Sequence, residues 1–219
     1  MALPTFLGLV NEVLVRLREP EVSTVNENTL SKLIGVFVND AKRAVEDAYN
    51  WNALATTLTA TTTPGTFNYR LVGSGARFKI IEVFNATERV HMIPKTTHQM
   101  TQLFISTPTP QTGVPMYYNF NGVDSNGDTQ VDLYPVPNNS YSIYFNIYQP
   151  QDKLVANSDT LKVPSEPVVQ LAYARALVDR GEDSSLPSSE AFGMFKAILS
   201  DYVAIEASRY SEEETWEAS

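Results

Sequence analysis

The chain has 219 residues, of which 43% are hydrophobic and 19% charged, so a packed core is expected and global disorder is not. The absence of cysteine excludes disulfides and thiolate metal sites, and no apolar run reaches the 18 residues of a transmembrane helix. Met1–Pro4 lacks the basic and apolar regions of a signal peptide. The net charge of −9, without a cluster of Lys and Arg, argues against tight binding to DNA phosphates.

Charge is distributed unevenly along the chain. Lys and Arg number 5 against 7 Asp and Glu in residues 1–52, 7 against 7 in 53–164, and 4 against 11 in 165–219. The acidic excess therefore lies mainly in the C-terminal quarter. Such a surface repels nucleic acid that passes nearby. A solvated helix face followed by a frayed acidic tail would have the same composition, so both interpretations stay open.

Two helices are predicted near the N-terminus. Thr5 is a suitable N-cap for the first, which ends at Glu19 before Pro20 and has one apolar face made of Phe6, Val10, Val13, Leu14 and Leu17. The second is predicted from Asn28 to about Tyr49, with a buried stripe of Leu30, Leu33, Ile34, Phe37, Ala41, Ala44, Val45 and Ala48. Trp51 is expected to be a packing anchor where the β-rich segment begins.

The middle of the chain is predicted to be rich in strands, at residues 53–63, 67–71, 78–84, 89–93, 116–121, 129–134 and 141–148. Turn signals separate several of them, including Pro64-Gly65 and Asn126-Gly127. A short helix is predicted over Thr96–Ile105, with Met100, Leu103 and Phe104 on its inner face, and a loop follows over Ser106–Pro115. Because the connections are short, an antiparallel meander is expected.

Two more helices are predicted in the C-terminal quarter. Ser165 is expected to cap the first, which ends at Gly181. The second is predicted from about Ser189 to Tyr210, with Phe192, Phe195, Ile198, Leu199, Tyr202 and Ile205 at helical spacing. The remaining segment is polar and acidic, and Trp216 is the large aromatic residue within it. An aromatic residue in a polar segment is typical of a docking point for a partner, or of a side chain that packs back on its own protein.

The order of these elements predicts an α+β fold. Residues 1–52 and 165–211 are expected to meet as a helical bundle domain, residues 53–164 to form an inserted antiparallel β-domain, and residues 212–219 to form an acidic C-terminal tail. This layout suits a protein that contacts one neighbour through helices and another through strands.

The motifs that usually carry catalysis or cofactor binding are absent from the sequence. It contains no Walker loop, no Gly-x-Gly-x-x-Gly and no Gly-x-Ser-x-Gly. His91 and His98 lack partners at the spacing that zinc sites use. Asp124–Asp128 begins like a calcium loop, but Thr129 and Pro135 stand where that loop needs Gly and Glu, so a hairpin turn is predicted. No catalytic, cofactor-binding or metal-binding residue is predicted.

Two other functions compete with a purely structural role. The tyrosines of the predicted strands could form an aromatic surface that binds a glycan or a fibre, and the candidates are Tyr117, Tyr118, Tyr144 and Tyr148. Ordinary sheet packing would use the same residues. Glu82 and Glu88 could act as the acid and base of an envelope-degrading hydrolase, as any two carboxylates could.

The N-terminal segment resembles a known family. Leu9-Val10-Asn11-Glu12-Val13-Leu14 is followed by Leu17-Arg18-Glu19-Pro20-Glu21-Val22-Ser23-Thr24, and then by a long predicted helix that closes at Tyr49-Asn50-Trp51. This order is similar to the start of tail tubular protein A, the head-to-tail adaptor of short-tailed phages. The C-terminal helix pair with its acidic tail is similar as well.

The resemblance implies a structural protein of the virion, made in the host cytoplasm, rather than an enzyme. It implies a dodecameric ring that joins the portal protein to the tail nozzle protein and lines the channel through which genomic DNA leaves without specific binding. In such adaptors the helices and the C-terminal segment contact the portal, so the candidate docking residues are Tyr210, Glu212, Glu213, Glu214 and Trp216. The β-domain would face the nozzle and fibres, although the Thr96–Pro115 stretch is extra relative to compact relatives. No cofactor and no membrane contact are expected.

Overall fold

The computed structural model describes residues 3–75, 77–106, 108–182 and 186–209. The chain divides into two compact units. The helical unit comprises Met1–Leu54 and Gln151–Ser219, and the β unit comprises Ala55–Pro150. The predicted α+β class is confirmed.

The helices and strands follow each other as α1 (Phe6–Arg16), α2 (Thr29–Ala48), a 3-10 turn (Asn52–Leu54), β1 (Ala55–Thr61), β2 (Asn68–Arg70), β3 (Lys79–Asn85), β4 (Val90–His91), β5 (Ile93–Pro94), α3 (Thr97–Ile105), β6 (Thr112–Gly113), β7 (Tyr117–Val123), β8 (Thr129–Tyr134), β9 (Val136–Pro137), β10 (Ser142–Tyr148), α4 (Ser165–Leu177) and α5 (Leu186–Ala207). In the helical unit, α4 packs against α1, α2 and α5 and therefore lies at its centre.

The first two helices begin where the sequence predicts. The Thr5 hydroxyl accepts a hydrogen bond from the Gly8 N–H at 3.2 Å, and the Asn28 side chain accepts one from the Ser31 N–H at 2.8 Å. The Ser31 hydroxyl in turn accepts from the Asn28 N–H at 3.2 Å, so α2 opens with a capping box. The first helix ends at Arg16 rather than at Glu19, because Arg18 takes a φ of 60° that a right-handed helix cannot contain.

The buried face of α2 differs from the predicted stripe. Phe37 is half-buried and Ala48 is exposed, although both were expected to be core residues. The buried face includes instead the polar residues Asn39, Lys42 and Glu46. The reason is that the chain leaving the β unit runs along α2 and supplies hydrogen-bond partners for these three side chains.

The chain from residue 151 to residue 164 packs with the helices, whereas the sequence placed it in the β-domain. Leu154, Leu161 and Val163 are buried in the helical core. The backbone also joins this segment to α1, because the Phe6 N–H donates to the Asp159 carbonyl at 2.7 Å. The helical unit therefore resumes at Gln151, because the apolar side chains of this extended segment pack in the helical core.

The start of α4 differs from its prediction by one residue. Pro164 occupies the N-cap position with a φ of −53° and a ψ of 129°, no side chain caps this end, and Ser165 is the first helical residue. Beyond α4, Gly181 takes a φ of 84° in a wide turn over Val178–Glu182, a conformation that glycine adopts without strain. The last helix begins at Leu186, earlier than the predicted Ser189, and ends at Ala207.

Trp51 is a packing anchor of the helical unit, as predicted. Its ring is buried, and its Nε1–H donates to the Val45 carbonyl at 2.7 Å. The edge of the ring meets Tyr49, with centroids 5.7 Å apart. This satisfies the polar end of the indole while the rest of the ring fills the core.

The β unit contains two four-stranded sheets, in the orders β1-β10-β3-β4 and β2-β8-β7-β5. The long pairings are antiparallel, whereas the short pairs β5–β7 and β6–β9 are parallel. The predicted meander is wrong, because β1 pairs with β10 and places Ala55 opposite Tyr148. The chain passes back and forth between the sheets, so that each sheet can bury one face against the other.

The core of the β unit lies between the two sheets. Ile143, Phe145 and Ile147 of β10 are fully buried, which confirms that they share one face of the strand. Val131 and Leu133 of β8 are fully buried in the second sheet and join the same apolar cluster. Along β10, buried residues alternate with more exposed ones, as expected of a strand with one face in a core. In contrast, β8 is buried on both faces, and Asp132 and Tyr134 are buried as well.

The short helix α3 packs on the β unit through the predicted face. Met100 is buried, and Leu103 and Phe104 are half-buried. The Phe104 ring lies 4.9 Å from that of Phe67 and 5.3 Å from that of Tyr134. The predicted Thr96 start is confirmed, because the Thr96 hydroxyl accepts from the Gln99 N–H at 3.3 Å.

Candidate interaction surfaces

The four tyrosines of the predicted β-domain surface do not lie together. Tyr118 is buried between the sheets, with its ring 6.4 Å from that of Phe145, and burial raises the pKa of its hydroxyl. Tyr117, its neighbour on β7, belongs to the second sheet and lies under the Lys95 ammonium, 4.8 Å from the ring centre. Tyr144 and Tyr148 belong to β10 in the first sheet. Only the last two therefore share a strand and a face.

The outer face of the first sheet carries a row of joined polar side chains that crosses its four strands. The Thr57 hydroxyl donates to the Asn146 Oδ1 at 2.6 Å, and the Asn146 Nδ2 donates to the Glu82 Oε1 at 2.7 Å. His91 continues the row, with its Nδ1 3.4 Å from the Glu82 Oε2. We call these four residues the polar row.

Aromatic rings flank the polar row. Tyr144 stands beside it on β10 and is paired in register with Phe84 on β3. The Phe84 ring in turn meets the His91 imidazole edge-on at 5.0 Å. Polar groups that are held in place beside partly exposed rings form a surface that could bind a protein or a sugar. Tyr144 could be predicted from the sequence, but the row could not, because it depends on the β1–β10–β3 strand order.

The two carboxylates considered for hydrolysis have different surroundings. Glu82 lies on the outer face of the first sheet, where Asn146 and His91 engage its two oxygens. Glu88 lies in the exposed turn between β3 and β4, where its backbone N–H donates to the Asn85 side chain at 3.3 Å. Nothing in this arrangement directs the two carboxylates at a common point.

The Asp124–Asp128 segment is the hairpin turn that the sequence predicts. The Asp124 Oδ1 accepts from the N–H groups of Asn126 at 2.8 Å and Asp128 at 3.0 Å, and Gly127 takes a φ of 86°. Desolvation opposes ionisation of Asp124, but these two hydrogen bonds and the Arg70 guanidinium outweigh it and lower the pKa of the carboxyl. These oxygens therefore shape the turn.

A buried ion pair in the helical unit escaped the sequence analysis. The Lys42 ammonium lies 3.0 Å from the Glu46 carboxylate, and the two side chains are only 4% and 1% exposed. Lys42 also donates to the Gln151 carbonyl at 2.5 Å, and Glu46 accepts from the Gln151 N–H at 3.1 Å. The pair thus fixes the point where the chain re-enters the helical unit.

The candidate portal-docking residues Tyr210, Glu212, Glu213, Glu214 and Trp216 lie outside the described residues. The helix that leads to them ends at Ala207 and is held at this end by Glu206. The Glu206 carboxylate accepts from the Asn52 N–H at 2.8 Å and pairs with Arg209 at 3.0 Å.

The described ranges contain neither a metal-binding cluster nor a membrane-spanning helix. No group of three or more His, Asp or Glu side chains there is arranged to hold a metal ion. None of the helices in those ranges combines the length and apolar character needed to cross a membrane.

Comparison with known proteins agrees with the resemblance in the N-terminal segment. No curated protein matches the chain. A family model described as SU10 adaptor protein matches residues 4–216, and this range spans both the helical unit and the β unit. The chain therefore belongs to the SU10 adaptor protein family and is a phage adaptor protein.

Proposed function

We propose that the protein forms a ring in the virion that joins the portal protein to the tail nozzle protein and lines the channel for genome exit. The observation that carries this proposal is the division of the chain into two units with separate cores. A subunit built in this way presents helical surfaces and strand surfaces independently, which is what a connector with different neighbours requires. The ring would hold twelve copies, as in the family that the sequence resembles.

Charge supports the passage of DNA through such a ring. The C-terminal quarter holds 4 Lys and Arg against 11 Asp and Glu. An acidic wall repels the phosphate backbone, so that the genome slides past without specific binding. The helical unit would meet the portal, and the β unit would meet the nozzle and any fibres.

A mass measurement tests the ring. We expect the purified full-length protein, alone or mixed with its portal protein, to sediment as a closed oligomer near twelve copies. The portal is included because it can nucleate a ring that the free protein does not form. A monomer in both samples, without portal binding, would contradict the proposal.

Truncation before Glu212 tests the role of the C-terminal tail. We expect the variant to keep its helix and strand content but to bind the portal about tenfold more weakly or worse, as loss of an aromatic hot spot does. The measurement is binding of both proteins to immobilised portal. Trp216→Ala in the full-length chain is the matched variant, because it keeps every carboxylate. Equal binding of wild type and truncated protein would show that the tail is not a docking segment.

The polar row and its flanking rings favour a second function for the β unit. Tyr144, Phe84 and His91 are placed to contact a fibre or a glycan from the outer face of the first sheet. The same mass measurement separates the two functions. A protein that stays monomeric with portal present, and binds a glycan, would be a binding module rather than a connector.

A further inference from the structure

The last helix has more apolar surface than its own unit covers. One side of α5 packs on the helical core through Ala191, Phe195 and Leu199. Another side stays in solvent in the described part of the chain, where Met194 is 59% exposed and Ile205 is 55% exposed. A helix that is apolar on more than one side is normally buried on more than one side. The second side of α5 is therefore expected to be covered by another protein surface.

The side chains on this second side of α5 are spaced like those of a helix-packing interface, and all but the half-buried Ile198 are exposed. We define the α5 stripe as Met194, Ile198, Asp201 and Ile205, which follow each other at intervals of four, three and four residues. These are the intervals of the core positions in packed helices. Asp201 forms no ion pair with any described residue, and Glu190 is exposed one turn before Met194. The stripe thus combines apolar contact area with negative charge.

A groove elsewhere in the helical unit has the complementary character. It encloses about 330 Å³ beside α2, and its floor is formed by Phe6, Val25 and Gly35. Its rim carries two lysines and two exposed valines, and we define the α2 groove by these four residues: Lys32, Lys153, Val36 and Val155. The valines are 47% and 71% exposed. Among the residues that the structure describes, no carboxylate lines the groove and neither lysine forms an ion pair.

We propose that the α5 stripe of one copy docks in the α2 groove of the next copy of this chain and forms the lateral interface of the ring, an inference that rests on the proposed ring function. The apolar residues of the stripe cover the valines of the groove. The carboxylates of Glu190 and Asp201 meet the ammonium groups of Lys32 and Lys153. Opposite charges at the rim fix the register and suppress wrong pairings.

Because the stripe and the groove are different surfaces, their contact determines which type of oligomer can form. Each copy offers a stripe to one neighbour and a groove to the other, so the contact is heterologous. Repetition of such a contact closes into a ring when the rotation between copies divides a full turn. A stripe that paired with itself would instead stop at a dimer, and its apposed Asp201 carboxylates would repel each other.

Engineered cysteines test the contact directly, because the natural chain contains none. The full-length double variant Met194→Cys/Val155→Cys carries one thiol on each surface. On mild oxidation at high concentration, we expect a ladder of disulfide-linked oligomers from the dimer upward. Adding Lys32→Glu and Lys153→Glu should reduce the ladder at least about fivefold, since like charges then face each other.

The matched control is Met194→Cys/Val15→Cys. Val15 on α1 is 54% exposed and belongs to neither surface, so this pair should give no ladder. A dimer from Met194→Cys alone, as abundant as the ladder, would mean that the stripe meets itself and would overturn the proposal. Wild-type rings without cross-linking of the pair would overturn the interface but leave the ring function intact. Absence of a ring with and without portal would overturn both.

Discussion

Replacing Phe145 with alanine is expected to lower the free energy of unfolding of the β unit by about 3–5 kcal/mol. The side chain is fully buried at the centre of β10, between β1 and β3, and its ring faces Tyr118 of the second sheet. Alanine would leave a cavity that strands on both sides hold open, so the site cannot collapse to refill it. Equilibrium unfolding in urea, followed by circular dichroism, measures the loss.

Tyr144→Ala is the matched control for this substitution. Tyr144 precedes Phe145 on the same strand but stands on the outer face, where it is 39% exposed. Its truncation should cost about 1 kcal/mol or less, because little packing is lost at a surface position. Equal losses from the two variants would mean that the sheets do not pack through this face of β10.

Replacing Lys42 with methionine is expected to destabilise the helical unit by about 3–5 kcal/mol. Methionine fills a similar volume, but it leaves the Glu46 carboxylate buried without its cation and the Gln151 carbonyl without its donor. The double variant Lys42→Met/Glu46→Gln should recover at least half of the loss. The amide is neutral, and its oxygen still accepts the Gln151 N–H. Urea unfolding of the three proteins gives both values.

Arg175→Met provides the comparison for an exposed pair. Arg175 lies 3.1 Å from Asp40, and the two side chains are 34% and 55% exposed. Water solvates the remaining carboxylate there, so the loss should stay near 1 kcal/mol or below. If Lys42→Met cost no more than Arg175→Met, the Lys42–Glu46 pair would have to be solvated, contrary to its position in the core.

Local signals in the sequence were sufficient to predict the first helices, because a cap and a repeating apolar face are properties of neighbouring residues. Thr5 and Asn28 cap the helices that the pattern places after them. The strand order, in contrast, depends on residues that are far apart in the sequence. The β1–β10 pairing joins residues such as Ala55 and Tyr148 across the whole β unit, and the short loops favoured a meander instead.

The same distinction between local and long-range contacts explains which features of the candidate surfaces could be predicted. Strand alternation could have separated Tyr117 from Tyr118, since adjacent residues face opposite sides of a sheet. The polar row could not be foreseen without the strand order that brings Thr57, Asn146 and Glu82 into line. The buried position of Lys42 depends on Gln151, which is 109 residues away in sequence. A charged pair one helical turn apart is ordinarily a solvated pair.

Because β1 pairs with β10, the β unit begins and ends at the same place in the fold. Its entry and exit, near Ala55 and Tyr148, lie side by side at the spacing of neighbouring strands, about 5 Å. A domain that leaves and returns at one place can be removed, replaced or enlarged without reshaping the helices on which it is inserted. Recombination between phages could therefore replace the β unit to suit different tail components, while the helical unit stays the same.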